Sequence, residues 1–418
     1  MNLVTACEST IDASKAADTE WDVVVIGAGP AGSLAATLLA RRGLRTLLVE
    51  RKSFPRYKVC GACLNPLSLS LLKAAQLEEA VANAVPLDRF RLQSRGGTLD
   101  LSLPGSVSIS REQLDTRLVT SAIEAGAAFL SGCAAKVLPQ ENTDGLRVFS
   151  VPHRDVDLNP DGGDRSVVRA AVVIAADGLT HGSLSKLQEF HTDIVIASRL
   201  GAGTVVAEAP SLFEPGCIYM SSGRGGYVGL VRLEDGRLNV AAALDASAVD
   251  DCGSLSATAC RIIESAGFPA IDSLRDAEWC GTPALTRTTR PLASQRVFLI
   301  GDAAGYVEPF TGEGIAWALA SATSVVPLVQ CAVERWDSLL ERTWIDNWQR
   351  DVGRHLSWCR RLALLLRHPT AVSTLTRVVS VCPWLTGPVL RRLNRVPAAS
   401  TTSAHSADDS HAVRKAAG

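Results

Sequence analysis

Apolar and polar positions follow two periods along the chain, and the clearest block runs from Asp22 to Glu50. Val23 to Ile26 are uninterruptedly apolar, as in a strand buried on both faces. Gly27, Gly29 and Gly32 follow, then apolar residues at helical spacing (Leu34, Leu38, Leu39) and Gly43 at a C-cap position. A second apolar run, Thr46 to Val49, ends on Glu50. This pattern predicts strand, turn, helix and strand in immediate succession. Within such a turn each glycine has its own task. Gly27 permits the tight bend, Gly29 lets the backbone approach a phosphate, and Gly32 lets helix and strand pack closely. The helix start at Pro30 and Ala31 then faces the phosphates, and Glu50 stands where a carboxylate can take ribose hydroxyls. Strand, turn, helix, strand and acid in this order predict a nucleotide site.

The next stretch, "RKSFPRYKVCGACLNP", is a basic loop holding Cys60-x-x-Cys63. Arg51, Arg56 and Lys58 can neutralise phosphates there or simply face water. Residues 66–84 have a helical pattern, and alternation about Gly96-Gly97 predicts a hairpin. A helix follows with Arg111, Asp115, Leu118 and Ala122 on one side, ended by Gly126. Short strands are expected around Ala135–Leu138, Leu146–Val151 and Ser166–Arg169, with a turn at 159–164. Another buried strand then stops at Asp177-Gly178. Residues 195–245 are strand-rich, with Asp235-Gly236 as a hairpin turn. A sheet outside the nucleotide unit is a natural wall for a substrate cavity. Next come a strand, the Gly301-Asp302 turn and a helix from near Gly312. Leu340, Trp344, Trp348 and Val352 then recur every four residues as a long amphipathic helix.

Composition narrows the function. The 418 residues suffice for two joined domains, and a net charge of −1 gives no global field for nucleic acid. Eleven cysteines without a small secreted context favour reduced thiols in a cytoplasm. The seven histidines show no metal spacing, so no metal is expected. Residues 1–19 lack a signal-peptide pattern and read as a disordered lead, as does 397–418. Of two uncharged runs near spanning length, Val23–Ala40 is the nucleotide turn and Gly314–Val333 reads as a buried core helix. Between Val352 and Val396 there are eight arginines and no acid, interleaved with Leu, Val, Trp358 and Trp384. That segment is either a docked basic arm or a surface for anionic lipid.

Four separated pieces share one pattern: the glycine turn with Glu50, Arg111-x-x-Leu-Asp115, Ala176-Asp177-Gly178, and Gly301-Asp302 followed by Pro309 and Gly312-x-Gly314. Together they resemble the flavoprotein hydroxylases and reductases of the para-hydroxybenzoate hydroxylase fold. The resemblance implies an α/β (α+β) protein: a Rossmann-type FAD-binding domain, an inserted antiparallel-sheet substrate domain and C-terminal helices. The FAD domain would be assembled from 20–75, 105–185 and 286–335, the substrate sheet from 76–104 and 186–285, and a basic helical arm from 336–396. FAD would lie with its adenosine on Glu50 and its pyrophosphate on Gly27, Gly29, Pro30, Ala31 and Gly32. Arg51, Arg56, Arg111 and Asp177 would also contact it, with Asp302 on the ribitol. The helix start at Gly312, Gly314 and Ile315 would face the flavin ring, where a helix N-terminus stabilises the anion of the reduced form.

Arg56, Lys58, Cys60 and Gly61 resemble the R-x-K-x-C-G signature of the geranylgeranyl reductase branch, whose cysteine lies near the flavin. That branch reduces isolated C=C bonds in polyprenyl chains. Around Tyr227 the chain reads "GYVGLVR", without the tryptophans of flavin halogenases, and "DGLTHGSLSK" lacks the arginine of a standard hydroxylase. The resemblance implies NAD(P)H as external reductant and a small apolar substrate of isoprenoid or polyketide type. It leaves three functions open: a C=C reductase with Cys60 as proton donor, a monooxygenase acting on an apolar or aromatic substrate, and a non-catalytic flavin protein at a membrane periphery.

Overall fold

The computed structural model describes residues 7–95, 97–139, 153–308 and 312–365. Its first sheet has the strand order Ala293–Ser294, Val297–Leu299, Ser166–Ala175, Glu20–Ile26, Thr46–Val49, Ala128–Leu130. From Val297–Leu299 to Ala128–Leu130 every pairing is parallel. Strands covered on both faces carry continuous apolar runs, and Val23, Val24 and Val25 are fully buried. The helix Pro30–Ala40 lies against the longer helix Gly314–Glu334. Among the described residues, Gly314–Glu334 is the one helix long and apolar enough to cross a membrane, and most of it is buried. Leu319, Val325, Val326 and Val329 are fully enclosed, and each such side chain contributes about 1.5–3 kcal/mol.

The second sheet runs Cys280–Ala284, Leu200–Val206, Leu238–Leu244, Gly226–Arg232, Cys217–Gly223, Val85–Ser94, Gly97–Ser108, Cys63–Leu64. It is antiparallel except where Cys217–Gly223 runs parallel to Val85–Ser94. One face is covered by the helix Leu255–Ala266, whose Ile262 and Ile263 pack with Val228, Leu230 and Val240. The opposite face, with Phe90, Met220, Tyr227 and Leu285, turns toward the first domain. A small third sheet joins His191–Ile194, Arg287–Arg290 and Gly305–Tyr306.

Several expectations are corrected. Residues 7–19 are not a disordered lead: Thr10 exchanges backbone and hydroxyl hydrogen bonds with Phe129, and Ala13–Ala17 form a helical turn. Ala16 is fully buried because Trp21 Nε1 donates to its carbonyl and closes the turn onto the first strand. The second sheet continues to Ser108 rather than ending at 104, because the hairpin strand stays paired past Gly105. It also takes in Cys63–Leu64, from the loop assigned to the nucleotide domain. The antiparallel partner of Ser166–Ala175 is Arg154–Pro160, which runs into the expected turn at 159–164, while the strand expected at 146–151 lies outside the described residues. The helix from Leu339 is interrupted by a π-turn at Gln349–Gly353 and resumes at Arg354–Leu365. Pro309, residues 366–396 of the basic arm and the tail 397–418 also lie outside the described residues.

Candidate functional site

The glycine turn leaves the end of Glu20–Ile26 and is locked from two sides. Gly27 N–H donates to Val49 at 2.8 Å, and Ala176 N–H donates to Ile26 at 2.8 Å. Gly27 has φ +104°, and a Cβ on it would lie 2.4 Å from Ala176 O. A Cβ on Gly32 would lie 1.9 Å from Gly27 O. Gly29 differs from both. Its nearest neighbour to an added Cβ would be Arg111 Nη2 at 3.8 Å, and it lines a cavity. The helix that starts at Pro30 has no side-chain cap, so its first N–H groups have no side-chain acceptor. An open glycine before an uncapped helix start is the shape and polarity a pyrophosphate requires.

The cavity has a volume of about 610 Å³ and brings together nearly every residue singled out from the sequence. Gly27, Gly29, Pro30, Ala31, Glu50, Arg51, Arg56, Cys60, Arg111, Asp177, Asp302, Gly312, Gly314 and Ile315 all line it. Gly32 does not, because its contact is with the turn itself.

At one end the lining is charged. Arg111 binds Asp115 with two hydrogen bonds, at 2.9 and 2.7 Å, across one helical turn. Arg56 bridges Asp115 and Glu50, each at 3.3 Å. Burial acts to raise the Asp115 carboxyl, but Arg111 and Arg56 outweigh it and hold it below the ordinary range. Burial likewise works against the charge of Arg111, and Asp115 beside it does most to restore it. Glu50 also accepts from Ala28 N–H at 3.0 Å and Lys52 N–H at 3.2 Å, so the acid braces the glycine turn. Burial and neighbouring Arg111 push the Lys58 amine down. Burial pushes Asp302 up against the pull of Lys58, Arg111, Arg287 and His181. Burial raises Asp177 too, whose Oδ2 accepts from Ser183 N–H at 2.8 Å while Oδ1 is buried without a partner.

At the other end the lining is the inner face of the second sheet. Residues directly opposite on neighbouring strands share a face. One such row runs Met220, Gly229, Ala241, Gly203, Cys280. After Met220, whose thioether lies over Gly229, it holds only small side chains, so the row forms a trough that Tyr57 and Val59 cover at Gly203. Phe90, Ile218, Val231 and Leu285 add apolar wall.

Cys60 sits at the junction. Its carbonyl accepts from Asn239 Nδ2 of the sheet at 3.0 Å, and its Sγ accepts from Ala62 N–H at 3.4 Å and lies beside the Arg111 guanidinium. Cys60 and Cys63 are both free thiols, and burial pushes Cys63 up, toward the neutral form.

Asp115, Lys58 and Asn239 also belong to this site. The four-residue spacing of Arg111 and Asp115 carried a usable signal. Asn239 carried none, being 179 positions from its partner. His181 reads as an ordinary loop histidine in sequence. The fold puts it in the left-handed region (φ +50°), 3.2 Å from Thr289 Oγ1, with burial lowering its imidazole against the effect of Asp177.

Residues 20–338 match the family model described as "FAD binding domain". The menaquinone reductase of Mycobacterium tuberculosis is 31% identical over 384 residues, covering 85% of this chain and 86% of the relative. Digeranylgeranylglycerophospholipid reductase 1 of Methanopyrus kandleri is 28% identical over 375 residues, covering 83% and 91%. In fold, the p-nitrophenol 4-monooxygenase of Pseudomonas putida superimposes with a TM-score of 0.69 at 16% identity, covering 90% of this chain and 98% of that one.

Proposed function

The chain belongs to the FAD binding domain family of FAD-dependent oxidoreductases, and from that premise we propose that it reduces a C=C bond of an apolar, isoprenoid-like substrate with NAD(P)H as reductant. The observation that carries this reading is Cys60, hydrogen-bonded to the apolar sheet through its carbonyl and set against the charged end through its thiol. The relatives named as reductases of menaquinone and of a digeranylgeranyl lipid support the same substrate class. Fold alone does not decide, since a monooxygenase shares it.

The open face of Gly29 and the uncapped helix start at Pro30 would take the pyrophosphate of FAD, with Arg56 and Arg111 supplying positive charge. Glu50 would accept from the ribose hydroxyls and Asp302 from the ribitol. The Gly314–Glu334 helix start would place its dipole against the ring. Bound FAD supplies a two-electron carrier that accepts hydride from NAD(P)H and returns it to carbon. The reaction oxidises NAD(P)H to NAD(P)⁺ and turns C=C into CH–CH, so one proton is needed besides the hydride. Cys60 Sγ would deliver that proton, and water would restore it. The trough wall excludes water and orients the chain.

The test is anaerobic reduction of the purified holoenzyme by NADPH, followed by addition of menaquinone. A product that remains heavier by two hydrogens after its ring is reoxidised to the quinone supports the reading. Oxygen-dependent hydroxylation, with no saturated product under anaerobic conditions, would overturn it in favour of the monooxygenase. Cys60→Ser should keep FAD and slow turnover after flavin reduction.

A further inference from the structure

A second, more open cavity of about 760 Å³ lies at the edge of the second sheet. It shares two lining residues with the first: Tyr57 and Cys280. Cys280 is also the last residue of the small-residue row, opposite Gly203. Tyr57 closes this end. Its hydroxyl would stand 2.8 Å from a Cβ on Gly203, so the hydroxyl, with the Val59 side chain beside it, occupies the notch that glycine leaves. The hydroxyl is buried and makes no hydrogen bond, and burial pushes it toward the neutral form. A phenol without a hydrogen bond is held there by shape alone and gives up none when it swings.

The two cavities differ in chemistry. Beyond Tyr57 and Cys280 the lining mixes Val205, Val206, Ala207 and Ala277 with charge: Glu112, Glu208, Asp276 and Glu278 stand against the single guanidinium of Arg237. Arg237 is itself paired with Asp235 at 2.6 Å and with Glu112 at 3.9 Å, which leaves Glu208, Asp276 and Glu278 as the excess charge. Such a chamber suits the end of a molecule that is polar and uncharged, and repels phosphate. Four steps between strands separate Met220 from Cys280, roughly 19 Å of trough.

We propose that the row Met220, Gly229, Ala241, Gly203, Cys280 is a trough for an extended apolar chain, and that the chain's uncharged polar end passes Tyr57 into the second cavity. This rests on the reductase reading and narrows it: of two long-chain substrates alike in their alkenes, the one ending in a neutral group is preferred over the one ending in phosphate. Tyr57 acts as the door between the chambers, and the carboxylates beyond it as a filter by charge.

The test uses the oxidised holoenzyme with two probes, geranylgeraniol and geranylgeranyl phosphate. Three quantities are read together: the flavin absorbance shift, formation of saturated product after NADPH reduction, and the maleimide alkylation rate of Cys280. Exposed Cys331 serves as internal control. Geranylgeraniol should shift the flavin spectrum and slow alkylation of Cys280 at least about tenfold, leaving Cys331 unchanged. The phosphate should bind about tenfold more weakly. Changing the exposed acids together, Glu208→Gln, Asp276→Asn and Glu278→Gln, should bring the two probes close to equal affinity. Saturated product with Cys280 still fully reactive would overturn the inference and leave the reductase reading standing. So would equal affinity of the two probes for the unaltered protein. No spectral shift and no product from either probe would overturn both.

Discussion

The two ends of the cavity are built by opposite means. At the charged end, function rests on backbone: Gly27, Gly29 and Gly32 lie within six residues, and Arg111 and Asp115 within one helical turn. At the apolar end, five strands each contribute one residue to the row from Met220 to Cys280. A turn that must approach a phosphate tolerates few residue types. A trough needs only that side chains be small, and Gly or Ala at one position announces nothing. The charged end can therefore be destroyed by one methyl group, and the apolar end only reshaped.

That contrast is sharpest among the glycines. Gly32→Ala should prevent folding, since its Cβ would sit 1.9 Å from a backbone oxygen that cannot move aside. Gly29→Ala should fold with unchanged circular dichroism yet purify with little flavin. If both variants fold and retain FAD, the turn is not the pyrophosphate site.

Arg111→Leu should rank next. It leaves Asp115, fully buried, with Arg56 alone, and a broken buried ion pair costs about 3–5 kcal/mol. Urea denaturation of the apoprotein would measure it, and a loss below about 1 kcal/mol would show the pair to be dispensable.

At the apolar end, Ala241→Phe should fill the trough between Gly229 and Gly203. FAD content should stay the same while KM for a long apolar substrate rises about tenfold, the cost of roughly 1–2 kcal/mol of lost fit. A variant that instead lost flavin would join the two ends into one unit.

Asp302 gives the pH dependence. Its folded carboxyl titrates above the ordinary 3.8, because burial disfavours the charge. The folded state therefore holds the proton more tightly than the unfolded chain. This contribution to stability is present below 3.8 and is lost as pH rises through the folded value. Asp302→Asn should accordingly make the apoprotein more stable than wild type at pH 7, with the difference vanishing below about pH 4, while FAD binding weakens. Thermal melts of apoprotein at both pH values would show it. An Asn variant less stable at neutral pH would mean that the attraction of Lys58, Arg111 and Arg287 for the carboxylate outweighs the burial.

The smallest effect is expected at Glu50. Its carboxylate also holds Ala28 N–H and Arg56, so Glu50→Gln should weaken FAD by about 1 kcal/mol without unfolding the turn.

The sequence by itself determined the parts whose chemistry is local. The strand–glycine–helix–strand block, the Asp235-Gly236 hairpin, the helix carrying Arg111 and the buried character of Gly314–Glu334 are all imposed by spacing, since period and backbone freedom act over a few residues. What the tertiary structure decided is everything that depends on which strand lies beside which. It joined Cys63–Leu64 to the second sheet, tied residues 7–19 onto Phe129, and brought Asn239 to the Cys60 carbonyl. It also aligned Gly203, Gly229 and Ala241, which have no common motif, into one trough. Pairing between distant strands is chosen by burial of the whole sheet, not by any residue in the pair, so no window of sequence contains it.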